Sequence, residues 1–200
     1  MSSIGIIGSG NIGASIARLL GRAGIAATLS NSRGAESLRE LVRELGPSIK
    51  AGSRAEAAQA DIVFVAVNWT KIPAALAGLP DWKGRIVVDA NNPIEGPLFK
   101  PAELNGRASS EVFADLVPGA RVVKAFNHLV AAVLAGDPHA EGGRRVLFYS
   151  GDDARAKAEI AALIDRLGFF GIDLGGLAVG ARLVQFPGGP LPVHNLVKFG

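Results

Sequence analysis

Cysteine is absent from the 200 residues. That excludes disulfides, thiolate nucleophiles, Cys-ligated zinc and iron–sulfur clusters, and it suits a reducing compartment. Runs of like charge are absent too. The formal net charge is +3, from 21 Lys and Arg against 18 Asp and Glu, and no basic stripe offers itself to nucleic acid. So mild an excess fits a small anionic molecule. Long apolar runs are also missing, because glycines and charges break every stretch before it reaches bilayer-spanning length. The segment Met1–Ile7 has no basic region ahead of its apolar residues, so neither a signal peptide nor a membrane partner is expected, and the expected location is the cytoplasm. The three histidines, His128, His139 and His194, are not at metal-ligand spacing, and no metal site is expected.

What is present is an ordinary globular composition, 48% hydrophobic and 20% charged, long enough for one domain with a small lobe. Short apolar runs alternate with helical segments. Strands are expected at Ile4–Ile7, Ala26–Leu29, Ile49–Ala51, Ile62–Val67, Arg85–Ala90, Arg121–Phe126 and Arg145–Tyr149, with a last one at Phe169–Leu174. Helices are expected at Asn11–Leu20, Ser37–Leu45 and Ala55–Ala60, and from an Asp152 or Asp153 cap to Leu167. Such alternation predicts an α/β protein: a Rossmann-type, doubly wound, mostly parallel sheet with a small C-terminal α/β portion. The expected division is a nucleotide-binding domain over residues 1–142 and a small portion over 143–200 that packs on the ligand cleft.

Gly8-Ser9-Gly10-Asn11-Ile12-Gly13 is a G-x-G-x-x-G turn. Alone it discriminates little; directly after a strand and opening a helix, it is the context of a dinucleotide fingerprint. Gly8 makes the tight turn, Gly10 lets backbone approach a pyrophosphate, Gly13 lets the helix pack on the sheet, and the helix N-terminus offers free N–H groups. At the end of the second strand, an NAD site places a carboxylate on the ribose 2′-hydroxyl. Here the residues are Asn31-Ser32-Arg33, with no acid before Glu36. Hydroxyl and guanidinium suit a 2′-phosphate, so NADP(H) is expected, with Ser32 and Arg33 on the phosphate and Asn31 on the ribose or adenine side.

The other strand ends carry Val67, Asn68 and Trp69; Asp89 to Pro93; and Phe126, Asn127 and His128. Ligands of open α/β sheets lie outside the carboxyl ends of the strands, and asparagines there satisfy a carboxamide or ribose without adding charge. His128 either faces the second substrate or caps the next helix, and is the one catalytic candidate named. His139 reads as solvated, and His194 as a residue able to close over a substrate.

These residues, with Val122-Val123-Lys124-Ala125-Phe126-Asn127, occur in the order and spacing of a known family. The chain resembles the NADP-dependent oxidoreductases that include reductases of the 8-hydroxy-5-deazaflavin coenzyme (factor 420). A related domain sits on the cytosolic side of membrane ferric reductases. The resemblance implies a Rossmann domain with Gly8, Ser9, Gly10, Asn11 and Ile12 on the pyrophosphate, and Ser32 and Arg33 on the 2′-phosphate. It places Asn91, Pro93, Ala125 and Asn127 at the nicotinamide end. The stretch Leu183–Leu191 departs from the deazaflavin reductases and is closer to other relatives of the superfamily, so the acceptor stays open.

Hydride transfer between a nicotinamide and a flavin-like ring needs orientation more than acid–base help. A carbonyl dehydrogenase needs a proton donor, and none is evident. The expected function is therefore NADPH-dependent hydride transfer to a deazaflavin or flavin-like small-molecule acceptor. The alternatives are reduction of a quinone or ferric complex through flavin, or a non-enzymatic NADP(H) sensor. The apolar, Gly/Pro-rich C-terminal stretch suggests a homodimer.

Overall fold

The computed structural model describes residues 2–96 and 100–200, so that Met1, first of the amino-terminal stretch read above, lies outside the described residues. The first half of the chain runs β1 (Ile4–Ile7), α1 (Asn11–Arg22), β2 (Ala27–Ser30), α2 (Arg39–Leu45) and β3 (Ile49–Ala51). It continues through α3 (Arg54–Ala58), β4 (Ile62–Val65), α4 (Ile72–Leu76) and β5 (Ile86–Asp89). A small hairpin, β6 (Ile94–Glu95) with β7 (Lys100–Pro101), precedes α5 (Ser109–Asp115), β8 (Arg121–Ala125) and α6 (Ala131–Leu134). The rest comprises β9 (His139–Ala140), β10 (Gly143–Gly151), α7 (Ala154–Arg166), β11 (Phe170–Asp173), a π-turn at Leu177–Ala181, α8 (Arg182–Val184) and β12 (Val197–Lys198).

The main sheet has the order β11-β10-β8-β5-β4-β1-β2-β3. The six strands from β8 to β3 are mutually parallel. β10 turns back antiparallel to β8, and β11 runs parallel to β10. The sheet is therefore mostly parallel, as expected, with a reversed outer pair. The segment between β8 and β10 holds the four-residue helix α6 and the short strand β9, which itself pairs antiparallel with the start of β10. Phe170–Asp173 is also not the last strand, since Val197–Lys198 pairs with the start of β10.

The continuous apolar runs are explained by burial on both faces. Ile4, Ile6, Phe64, Ile86 and Val88 pack on one side against α1 and α7, with Ile16, Leu20 and Ile160. The alternate residues Ile7, Val63, Val65 and Val87 pack on the other side with Phe113, Val117 and Leu177. A third cluster, Val146, Phe148 and Val184 with Ile172 and Leu191 around it, anchors the C-terminal segment on β10 and β11. α7 starts where expected, with the Asp153 carboxylate accepting from the Ala156 N–H at 2.7 Å. The helix α3 carries a reciprocal cap between Ser53 and Glu56.

Candidate functional site

From β1 the chain winds outward through β2 and β3, then returns to the other side of β1 as β4. The carboxyl ends of β1 and β4 are thus the point where the winding reverses, the place where an open α/β sheet leaves a crevice. A cavity of about 660 Å³ lies there, within the range of a small-molecule site.

The turn after β1 is built by close approach. Gly8 has φ of 113°, and a Cβ on it would stand 2.1 Å from the Ala66 carbonyl oxygen. A Cβ on Gly13 would stand 1.9 Å from the Gly8 carbonyl oxygen, so α1 begins directly on top of the turn. Gly10 is different. It is the N-cap of α1 at φ −72° and ψ −170°, and a Cβ there would meet nothing within 4 Å. Packing therefore demands glycine at Gly8 and Gly13, whereas at Gly10 the space is open and belongs to the cavity. No side chain caps α1, and its first turn holds no acid. The positive end of its dipole is left for an outside anion.

Ser9, Ser32, Arg33, Val67 and Asn68 line the same cavity as Gly8 and Gly10. Asn31 holds the loop in shape: its amide donates to Ser9 Oγ at 3.2 Å and Ser37 Oγ at 2.9 Å, and its oxygen accepts from the Arg33 N–H at 2.9 Å. The Arg33 side chain itself is exposed, and its guanidinium has no partner among the described residues. Two further cations line the cavity that sequence reasoning did not single out, Arg54 and Lys71. Arg54 donates to the carbonyls of Ala74 and Ala75, each at 2.8 Å, and so ties α3 to the last turn of α4. Lys71, after β4, is exposed and has no side-chain partner among the described residues. No carboxylate joins them in the described lining; Glu36 instead pairs with Arg39. The signal that could have found both residues is positional: each follows the carboxyl end of a strand of the parallel sheet, Arg54 after β3 and Lys71 after β4.

Asn11, Ile12 and Gly13 stand behind the turn at the start of α1, and Asn91, Pro93, Ala125 and Asn127 lie at the ends of β5 and β8, outside the lining of this cavity. There the asparagines bond mainly to protein. Asn91 is 3% exposed; its amide N–H₂ donates to Asp89 at 2.8 Å and its oxygen accepts from the Val67 N–H at 2.8 Å. Asn127 donates to Asn92 at 2.9 Å and to the Val184 carbonyl at 2.7 Å. The Phe186 N–H also donates to Asn92, at 3.1 Å. These amides latch the C-terminal segment onto the strand ends. The Asn127 side-chain oxygen is buried without a hydrogen-bond partner, while its backbone carbonyl accepts from the Asn92 amide at 2.9 Å.

His128 does not cap the next helix, whose N-cap is Val130. It is 1% exposed and lies 4.9 Å from the Phe148 ring. Burial pushes its pKa down to about 4, although the Val146 backbone lies close enough to oppose this. Neither ring nitrogen makes a hydrogen bond of acceptable geometry, so the ring is neutral near pH 7. His194 is exposed, and His139 stands 3.5 Å from Asp137 at the surface. No cluster of potential metal ligands occurs among the described residues, and no helix among them is long and apolar enough to cross a membrane.

Residues 3–93 match a family described as NADP oxidoreductase, coenzyme F420-dependent. The chain is 47% identical to a hypothetical protein of Sinorhizobium meliloti, over 99% of this chain and 96% of that one, with a TM-score of 0.94. It is 30% identical to a candidate F420-dependent NADP reductase of an Arthrobacter species, over 88% of this chain and 86% of that one, with a TM-score of 0.75. It is also 32% identical to the metalloreductase STEAP3 of Rattus norvegicus over 98% of this chain, which spans 39% of that relative's length.

Proposed function

Because the chain belongs to the family of coenzyme F420-dependent NADP oxidoreductases, we propose that it binds NADP(H) across the β1/β4 crevice and transfers hydride between the nicotinamide and a deazaflavin or other flavin-like ring. The observation that carries this reading is the cavity itself: open space at Gly10, an uncapped helix N-terminus, and Arg33, Arg54 and Lys71 without a carboxylate. That set fits a dinucleotide with an extra phosphate, because a carboxylate would repel the 2′-phosphate and a guanidinium matches its geometry.

Gly8, Ser9, Gly10, Asn11 and Ile12 hold the pyrophosphate in this reading, and Gly13 seats the helix beneath it. Ser32 and Arg33 take the 2′-phosphate. Val67 and Asn68 lie along the nicotinamide ribose, and Asn91, Pro93, Ala125 and Asn127 build the nicotinamide end. Residues 1–142 form the cofactor domain, and residues 143–200 close over the cleft. The bound cofactor supplies the hydride, and the chain's part is to orient two rings and exclude water. A neutral, buried His128 agrees with chemistry that asks for no proton. The exposed apolar residues Phe186, Val193, Leu196 and Phe199 support a homodimer, and the cytoplasm, where NADPH is maintained, is the proposed compartment.

The acceptor is tested by stopped-flow mixing of protein and NADPH with the deazaflavin coenzyme, with FMN, or with FMN plus ferric citrate. The reading expects fastest turnover with the deazaflavin. Similarity to a metalloreductase favours a second reading, in which flavin passes electrons to a ferric complex; faster turnover in the third mixture would select it. Tight NADPH binding with no turnover of any acceptor would replace both with a binding domain.

A further inference from the structure

Asp89 and Lys124 stand opposite each other in register at the ends of β5 and β8. Both side chains are fully buried, and their charged atoms lie 3.1 Å apart. The Asp89 carboxylate is saturated. One oxygen accepts from Lys124 Nζ and from Ser110 Oγ at 2.7 Å. The other accepts from both the backbone N–H and the side-chain amide of Asn91, at 3.0 and 2.8 Å. The Lys124 ammonium donates in addition to the Asn91 carbonyl. Three bonds from the ion pair thus end on one residue. The Asn91 side-chain oxygen then accepts the Val67 N–H at 2.8 Å, and Val67 is a wall of the cavity.

Burial disfavours the charged form of Lys124 and pushes its pKa down, against the pull of Asp89. A wholly buried ion pair is no bargain in stability, and a well-packed apolar pair often does as well or better. An apolar pair could not, however, aim the Asn91 amide or hold its carbonyl. The chemistry of the arrangement is a clamp on one strand end.

We propose that Asp89 and Lys124 are positioning residues for the nicotinamide half of the cofactor, acting through Asn91 to fix Val67 and the turn after β4. The inference rests on the NADP(H) reading of the cavity. The 2′-phosphate of the adenosine half lies against Ser32 and Arg33 in that reading and does not depend on the clamp.

The test compares two probes, NADPH and 2′,5′-ADP, which keeps the adenosine half and lacks the nicotinamide. Both are titrated into the wild type, Lys124→Met and Asn91→Ala, with thermal melting run alongside. Asn91→Ala leaves the Asp89–Lys124 contact in place and removes the side-chain amide that joins Asp89 to the Val67 N–H, so it carries the test if Lys124→Met does not fold. Expected is a tenfold or greater loss of NADPH affinity in each folded variant, with 2′,5′-ADP affinity within twofold of the wild type. Adding Asp89→Asn to Lys124→Met removes the stranded buried charge yet retains an acceptor for the Asn91 N–H, and should recover much of the loss. Equal weakening of both probes, or unchanged NADPH affinity, overturns the positioning role. Failure of the wild type to bind either probe overturns the NADP(H) reading, and the clamp's role with it.

Discussion

The three glycines of the Gly8–Gly13 turn are alike in sequence and different in space, and that difference can be measured. Gly10→Ala places a methyl group where no protein atom lies within 4 Å, on a backbone at φ −72° and ψ −170° that alanine also adopts. Loss of unfolded-state freedom favours the variant by about 0.4–1 kcal/mol. Alanine is the poorer N-cap by roughly the same amount. The two nearly cancel, so the melting temperature should stay within about 2–4 °C of the wild type. The methyl group nevertheless projects into the space through which a pyrophosphate would reach the backbone. Displacing that group breaks at least one hydrogen bond to a charged partner, a loss of about 1.5–3 kcal/mol, or roughly 10- to 100-fold in affinity. Gly13→Ala is the reverse case. Its methyl group would sit 1.9 Å from the Gly8 carbonyl oxygen, and such overpacking costs about 1–3 kcal/mol or more in stability. Differential scanning fluorimetry and NADPH titration on both variants decide the matter. Undiminished NADPH affinity in Gly10→Ala would refute the assignment of that open space to the pyrophosphate.

Lys71→Ala should weaken NADPH by up to about fivefold, since an exposed cation contributes about 1 kcal/mol or less; titrations at two salt concentrations check this, and unchanged affinity at low salt would remove Lys71 from the cofactor site. Arg54→Ala should in addition lower the melting temperature by a few degrees, because it strips the donors from the Ala74 and Ala75 carbonyls. His128 gives a pH signature. Its folded pKa of about 4 lies below the ordinary 6.5, so between these values the unfolded chain binds a proton that the folded chain refuses. Stability is then full above pH 6.5 and falls as pH drops toward 4, by about 3 kcal/mol for such a shift. Urea melts should show this slope in the wild type and a flatter one in His128→Leu.

The strands β1, β4 and β5 are legible in the sequence because both their faces are buried and every position but Asp89, at the end of β5, is apolar or small. The helix α1 is legible because its buried positions Ile16, Leu19 and Leu20 recur at helical spacing. The helices α4 and α5 are not: α4 buries only Ile72 and Leu76, and two of the three buried positions of α5 are serines, so neither displays an apolar period. The reversal at β10 is not legible either: the 126–142 connection is long enough for a crossover, and the apolar pattern of a strand does not record its direction. The Gly8–Gly13 turn could be read because all its parts are local. Arg54 and Lys71 could not, because they meet the turn only once β4 returns beside β1. Asn91 shows the converse limit. Its type and place at a strand end suggest a ligand contact, yet the Asp89 carboxylate and the Val67 N–H already hold its side chain, a partnership that needs the register between β4, β5 and β8.

The central claim is that the crevice selects NADP(H) through its 2′-phosphate. Calorimetric titration of NADPH and NADH into the wild type and Arg33→Ala tests it most directly. The account predicts that NADPH binds at least tenfold tighter than NADH to the wild type, and that most of this preference disappears in Arg33→Ala. Equal affinities in the wild type, or a preference that survives the loss of Arg33, would contradict it.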